Sequence, residues 1–246
     1  MSTLFSGVGA PQPDAVSLGS EPGSTDAHTM QEHTLSVYRT ARYFALGEPS
    51  DAVEEVWLVC HGYGQLAAYF LRHFRAVETP KRLIVAPEGL SRFYLENHQR
   101  VGASWMTREA RQDEIDDYVR LLDTVYADVL TRAEQTRVRL VALGFSQGGA
   151  TVTRWLAHSP MLGTPPADRL VLWGSILPHD LDLEEYGAWL RRVGLTLVVG
   201  NADAYATPER IAEQEDRLRD AAIPFEIVRF DGEHRLDWDV LRGLAE

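Results

Sequence analysis

Gly144-Phe145-Ser146-Gln147-Gly148-Gly149 follows an apolar run, residues 138–143, and precedes Ala150-Thr151-Val152-Thr153-Arg154-Trp155-Leu156. The run reads as a buried strand and the later segment as a helix that opens on small residues. A serine flanked by glycines at a strand-to-helix turn is the G-x-S-x-G pattern of a nucleophile elbow. Its serine must take a sparsely populated backbone conformation, so the residues two before and two after it must be small. In return the hydroxyl projects above a rigid sheet at a helix N-terminus, where the dipole favours developing negative charge. The same five letters also describe a tight turn whose serine merely caps a helix, so the surrounding elements must arbitrate.

Working outward, residues 56–60 form a continuous apolar run that ends in His61-Gly62-Tyr63-Gly64, and residues 82–86 form another that ends at Pro87. Residues 170–173, 195–199 and 225–230 repeat the pattern. Such runs suit strands buried on both faces. Residues 33–45 alternate and predict one strand or two short ones. Helical spacing predicts a short helix over 66–74, a long amphipathic one over 115–130 and another over 207–222 with Pro208 in its first turn. Residues 88–107 read as a long loop. Strands alternating with helices predict an α/β fold with a mostly parallel central sheet and helices on both faces. Functional groups are then expected at the carboxyl ends of the strands.

A serine hydroxyl needs a base, and the base needs an orienting carboxylate. Behind a nucleophile elbow the chain order is Ser, Asp or Glu, then His. His158, His179 and His234 follow Ser146. His158 lies within the helix after the elbow and His179 follows the 170–173 strand, whereas His234 follows the last strand in a glycine-containing loop. His234 is therefore the expected base. Asp203, past the penultimate strand in Gly200-Asn201-Ala202-Asp203, is the expected acid; Asp180 and Asp231 compete with it. The oxyanion needs backbone donors, expected from Gln147 N–H and, in the glycine-rich loop after an early strand, Tyr63 N–H. His61 reads as a brace for that loop rather than as a second base.

Composition bounds the rest. The chain has 246 residues and a formal net charge of −12. That charge disfavours nucleic acid and an anionic membrane surface as partners. The single cysteine, Cys60, sits in an apolar run and reads as a small core residue. With no signal-peptide layout at the N-terminus, the expected location is cytoplasmic. Residues 1–29 are rich in Gly, Pro, Ser and Ala without periodicity and read as a disordered or loosely attached tail. Residues 30–246 read as a single domain.

Together these markers resemble the phospholipase/carboxylesterase family of α/β-hydrolases, which includes acyl-protein thioesterases. The likeness runs from about Glu55 onward. It rests on His61-Gly62-Tyr63-Gly64, Ala86-Pro87, Ser104-Trp105-Met106 and the stretch from Gly144 to Gly149. Gly174-Ser175-Ile176-Leu177-Pro178, Gly200-Asn201-Ala202-Asp203 and Gly232-Glu233-His234 complete it. The resemblance implies the α/β-hydrolase fold and hydrolysis of a small carboxylic ester, thioester or lysophospholipid. It implies no cofactor and no metal. It places Ser, Asp and His on Ser146, Asp203 and His234, the oxyanion-loop residue on Tyr63, and Trp105 beside the nucleophile. Trp105 and Met106 are accordingly expected in the substrate pocket. The chain departs from the family pattern at Gln65, Met106 and Glu233, none of them a catalytic position. Two other readings use the same residues: an idle scaffold that binds a ligand or partner, and a triad enzyme acting on amides or peptides.

Overall fold

A computed structural model describes residues 30–164 and 166–246; the tail expected over residues 1–29 lies outside the described residues. Residues 30–39 carry no regular secondary structure. Only Tyr43–Leu46 (β1) of the segment predicted to be extended over 33–45 is a strand. The alternation at 33–38 includes Leu35, Val37 and Tyr38, all exposed. Alternation makes a strand only where one face is buried.

From Thr40 onward the elements alternate as expected. Glu55–Cys60 (β2) leads to a short helix Ala67–Phe70 (α1), continued by the 3₁₀ turns Leu71–Val77. Arg82–Pro87 (β3) comes next. The segment read as a loop then holds a hairpin, Ser91–Tyr94 (β4) and Val101–Ser104 (β5). Arg111–Arg132 (α2), Arg139–Phe145 (β6), Gln147–His158 (α3) and Arg169–Trp173 (β7) follow. Leu183–Leu190 (α4), Gly194–Gly200 (β8), Pro208–Asp220 (α5), Phe225–Phe230 (β9) and Trp238–Leu244 (α6) complete the chain. The seven-stranded sheet has the order β1-β3-β2-β6-β7-β8-β9. Only β1 runs antiparallel to its neighbour.

Successive side chains of a strand point to opposite faces, which explains the unbroken apolar runs. Val56, Leu58 and Cys60 of β2 enter one core with Ile115 and Leu122 of α2, Val152 and Trp155 of α3, and Leu190 of α4. Trp57 and Val59 enter a second core with Phe70 and Phe74 and with Leu241 and Leu244 of α6. Strand β6, which delivers Ser146, pairs on both edges, with β2 and β7. It is the central strand of the seven. No described helix is long and apolar enough to cross a membrane.

Candidate active site

Ser146 stands between β6 and α3 with φ +54° and ψ −119°. This is a conformation that side-chain-bearing residues rarely adopt, and it persists because its surroundings dictate it. Its amide is held by Trp173 O at 2.9 Å, from the neighbouring strand β7. The glycines explain how the turn closes. A Cβ on Gly144 would lie 2.2 Å from Gly148 O, and one on Gly148 would lie 2.2 Å from Cys60 O. Two residues before and two after the serine, the chain thus packs on itself and on the end of β2.

His234 follows β9 and Asp203 follows β8. His234 Nδ1 lies 2.8 Å from Asp203 Oδ2. The other oxygen, Asp203 Oδ1, accepts from Tyr205 N at 2.8 Å and Ala206 N at 2.9 Å. Burial opposes the charge of this carboxylate, but the Ala206 N–H, the His234 ring and the Tyr205 N–H outweigh it and hold its pKa below the ordinary value. The imidazole contacts Phe145, the residue before the serine, and Tyr205, each at 4.7 Å between ring centroids. Beneath it lies Gly174 at φ +55°, where a Cβ would stand 2.8 Å from His234 Cε1 and 3.0 Å from Asp203 Oδ2. No hydrogen bond joins His234 to the Ser146 hydroxyl among the described residues. Of the competing acids, Asp180 is paired with Arg154 at 2.7 Å and Arg111 at 2.6 Å, and among the described residues it is Asp203, not Asp231, whose carboxylate meets His234.

The loop after β2 sits against the elbow: a Cβ on Gly62 would be 3.0 Å from Phe145 Cδ1. The N–H groups of Tyr63 and Gln147 have no hydrogen-bond partner among the described residues; that of Gln147 is one of the free donors of a helix start. His61 is fully buried and braces the loop. Its Nε2 accepts from Gly89 N at 3.0 Å, so Nδ1 carries the proton and donates to Gly62 O at 2.8 Å. Burial pushes its pKa down, against smaller opposing contributions from the Gly62 carbonyl and Glu88. Gln65, where the chain departs from the family pattern, accepts from Gly62 N at 2.8 Å.

Trp105 and Met106, expected in a substrate pocket, do not line the cleft that Ser146 opens into. Trp105 is 2% exposed. Its ring packs 4.9 Å from His61, and its Nε1 donates to His61 O at 2.8 Å. A buried indole must satisfy its N–H, and here the loop after β2 supplies the acceptor. Met106 offers its carbonyl to Gln147 Nε2 at 2.9 Å. The Gln147 side chain also accepts from Trp105 N at 3.2 Å and bonds Ser104 Oγ. This glutamine, read from the sequence for its backbone alone, therefore clamps the strand β5 exit to the start of α3. The cleft itself, about 220 Å³, is lined by Ser146, Gly174, Ile176, Tyr205, Ala206 and Arg210 among others. Of these, Tyr205, Ala206 and Arg210 carry no motif signal. Their place two to seven residues past Asp203 was the only clue available. Among the described residues, no group of three His, Cys, Asp or Glu side chains converges as a metal would require.

No protein-family model matches the chain, and no curated protein does. Among solved structures, the chain is similar to a carboxylesterase from Bacillus cereus, at 15% identity and a TM-score of 0.60, over 83% of this chain and 92% of that one. It is similar to acyl-protein thioesterase 2 of Zea mays at 16% identity and a TM-score of 0.59, over 84% and 96% of the two chains. A phospholipase/carboxylesterase from Dyadobacter fermentans matches at 18% identity and a TM-score of 0.55, over 85% and 97%. At these identities the likeness establishes the fold, which is that of the α/β-hydrolases.

Proposed function

We propose that this α/β-hydrolase-fold chain is a serine esterase of the phospholipase/carboxylesterase kind, acting on small carboxylic esters or thioesters. One observation carries the reading: the His234–Asp203 bond of 2.8 Å stands over Gly174 and against Phe145, beside a serine held at φ +54°. In the proposed reaction Ser146 Oγ attacks the substrate carbonyl carbon while His234 Nε2 takes the hydroxyl proton. Asp203 fixes the tautomer with Nδ1 protonated and stabilises the imidazolium. The N–H groups of Tyr63 and Gln147 receive the oxyanion. As the tetrahedral intermediate collapses, the carbon–oxygen or carbon–sulfur bond to the leaving group breaks and His234 protonates it. Water, deprotonated by His234, then attacks the acyl-serine and releases the acid. The serine–histidine bond forms or tightens when substrate is bound. The single buried cysteine fits a reducing compartment, so the cytoplasm is the proposed location.

The decisive experiment uses a short 4-nitrophenyl ester and a fluorophosphonate probe. Ser146→Ala is expected to lower turnover by about four orders of magnitude or more and to abolish labelling, with an unchanged circular dichroism spectrum. Near-normal turnover in that variant, or a wild-type protein that neither turns over nor labels, sinks the reading.

A further inference from the structure

The cleft beside Ser146 holds one charged side chain among the residues that line it, Arg210. Three observations mark it out. First, its guanidinium is tethered: Nη1 donates to Tyr205 O at 2.7 Å, in the turn whose Asp203 orients His234. Second, it makes no ion pair among the described residues, and none of them takes its Nε or Nη2 protons. The other arginines of α5 are engaged. Arg219 pairs with Glu215 and Asp216, and Arg217 donates to the carbonyls of Leu177, Pro178 and Leu181. Third, Arg210 lies in the first turn of α5, where the helix dipole disfavours a cation. Beyond that one tether to Tyr205 O, no contact among the described residues uses the arginine's charge, and the chain as a whole carries a net charge of −12.

We infer that Arg210 forms a subsite for an anionic group, carboxylate or phosphate, carried by the ester that Ser146 attacks. The inference rests on the esterase reading above and deepens it. An arginine offers a planar fork of donors that matches the oxygens of either anion, and one arm already held by a carbonyl presents the rest at reduced entropic cost. Ser146 and Arg210 line the same cleft, of about 220 Å³, so esters with a short spacer between the scissile carbonyl and the anion are the first candidates. Half-esters of short dicarboxylic acids and acyl esters of short phosphorylated alcohols meet both conditions. The neutral neighbours Ile176 and Ala206 leave Arg210 as the group that discriminates charge.

The test compares kcat/KM for matched pairs. Monomethyl glutarate is set against methyl pentanoate, and 2-acetoxyethyl phosphate against 2-methoxyethyl acetate, each followed by acid release. The wild-type protein is expected to prefer the anionic member of at least one pair by about tenfold, as a charge-assisted contact in a partly exposed cleft permits. The pair that shows the preference identifies carboxylate or phosphate as the source. Arg210→Gln is expected to bring that ratio to within about twofold of unity, and Arg210→Lys to keep part of it, because a point charge lacks the fork. Arg192→Gln removes a charge just past the C-terminal end of α4 and is expected to keep the full ratio. A wild-type ratio near or below one in both pairs overturns the subsite. So does a ratio that survives in Arg210→Gln or falls equally in Arg192→Gln. These failures are distinct from failure of the esterase reading, in which no ester of either pair is hydrolysed and Ser146 takes no fluorophosphonate.

Discussion

Asp203 illustrates how a single residue is read from sequence and then sharpened by its surroundings. Chain order preferred it to Asp180 and Asp231, and the ring nitrogen of His234 lies against it. The division of its two oxygens was not legible: Oδ1 is committed to the backbone of Tyr205 and Ala206, and Oδ2 to His234. This division makes Asp203→Asn informative. The amide oxygen stays with the two N–H donors, so the NH₂ group faces His234 Nδ1 and forces the proton onto Nε2. The base then cannot accept from Ser146. Turnover of a short ester is expected to fall by about 10³–10⁴-fold while the thermal midpoint changes little; a loss under tenfold would refute the role assigned to the carboxylate. Trp105 shows the opposite case. An aromatic residue in a long apolar-rich segment can wall a pocket or pin the segment down, and periodicity cannot distinguish the two. The decision came from the hydrogen bonds Gly64 N to Ala103 O and Ala103 N to Gln65 O. They draw β5 onto the loop after β2, and the following indole is turned inward.

At the scale of elements, the junction of β6, α3 and the end of β2 is held by close backbone approach on one side and by a side-chain clamp on the other. Gly148→Ala places a methyl group against the Cys60 carbonyl, with no flexible side chain to yield. We expect a loss of at least about 3 kcal/mol in chemical denaturation, at the upper end of what overpacking costs. A loss below 1 kcal/mol would show that the junction can spread. Gln147→Leu removes the bonds from the side chain to Trp105 N and Met106 O. It leaves a buried amide without a partner, at a cost of about 1–3 kcal/mol. Because the same residue supplies a proposed oxyanion donor, kcat is expected to fall more than KM rises, and equal effects on both would mark the clamp as merely structural. The strands, α2 and α5 were legible because long apolar or periodic runs have few alternatives. The β4–β5 hairpin was not. Its strands are four residues each, and the buried residues of β5 are the small Gly102, Ala103 and Ser104, too short and too weakly apolar for alternation to stand out from a loop.

For the whole molecule, the buried His61 and the perturbed carboxylates act in one direction on acidification. Burial depresses the pKa of His61 below its ordinary 6.5. The unfolded chain therefore takes up this proton first, and the stability His61 contributes is present above about pH 6.5 and is lost as pH falls toward the folded value. Asp203, Glu88 and Asp180 are held below the ordinary carboxyl range. For Glu88, burial is outweighed by Arg42, Arg92 and the Ala67 N–H; for Asp180, burial is outweighed by Arg154 and Arg111. Their contribution is present above the unfolded carboxyl values and is lost as pH falls through the folded ones. The thermal midpoint is thus expected to fall in two stages on acidification, one beginning near neutrality and one in the carboxyl range. His61→Gln should flatten the first stage only. A midpoint that rises steadily from pH 7 to pH 4 would mean that relief of the surplus negative charge dominates instead. The amino-acid sequence by itself determined the parallel layering, the strand that carries Ser146 and the order in which Asp203 and His234 return to it. These follow from side-chain periodicity and turn chemistry, which are properties of consecutive residues. Tertiary structure alone decided that Trp105 is buried, that the Gln147 side chain is a clamp, and that Arg210 and Tyr205 share the cleft with Ser146. Each of those depends on segments far apart in the chain meeting beyond the carboxyl ends of the strands, and no local pattern encodes that meeting.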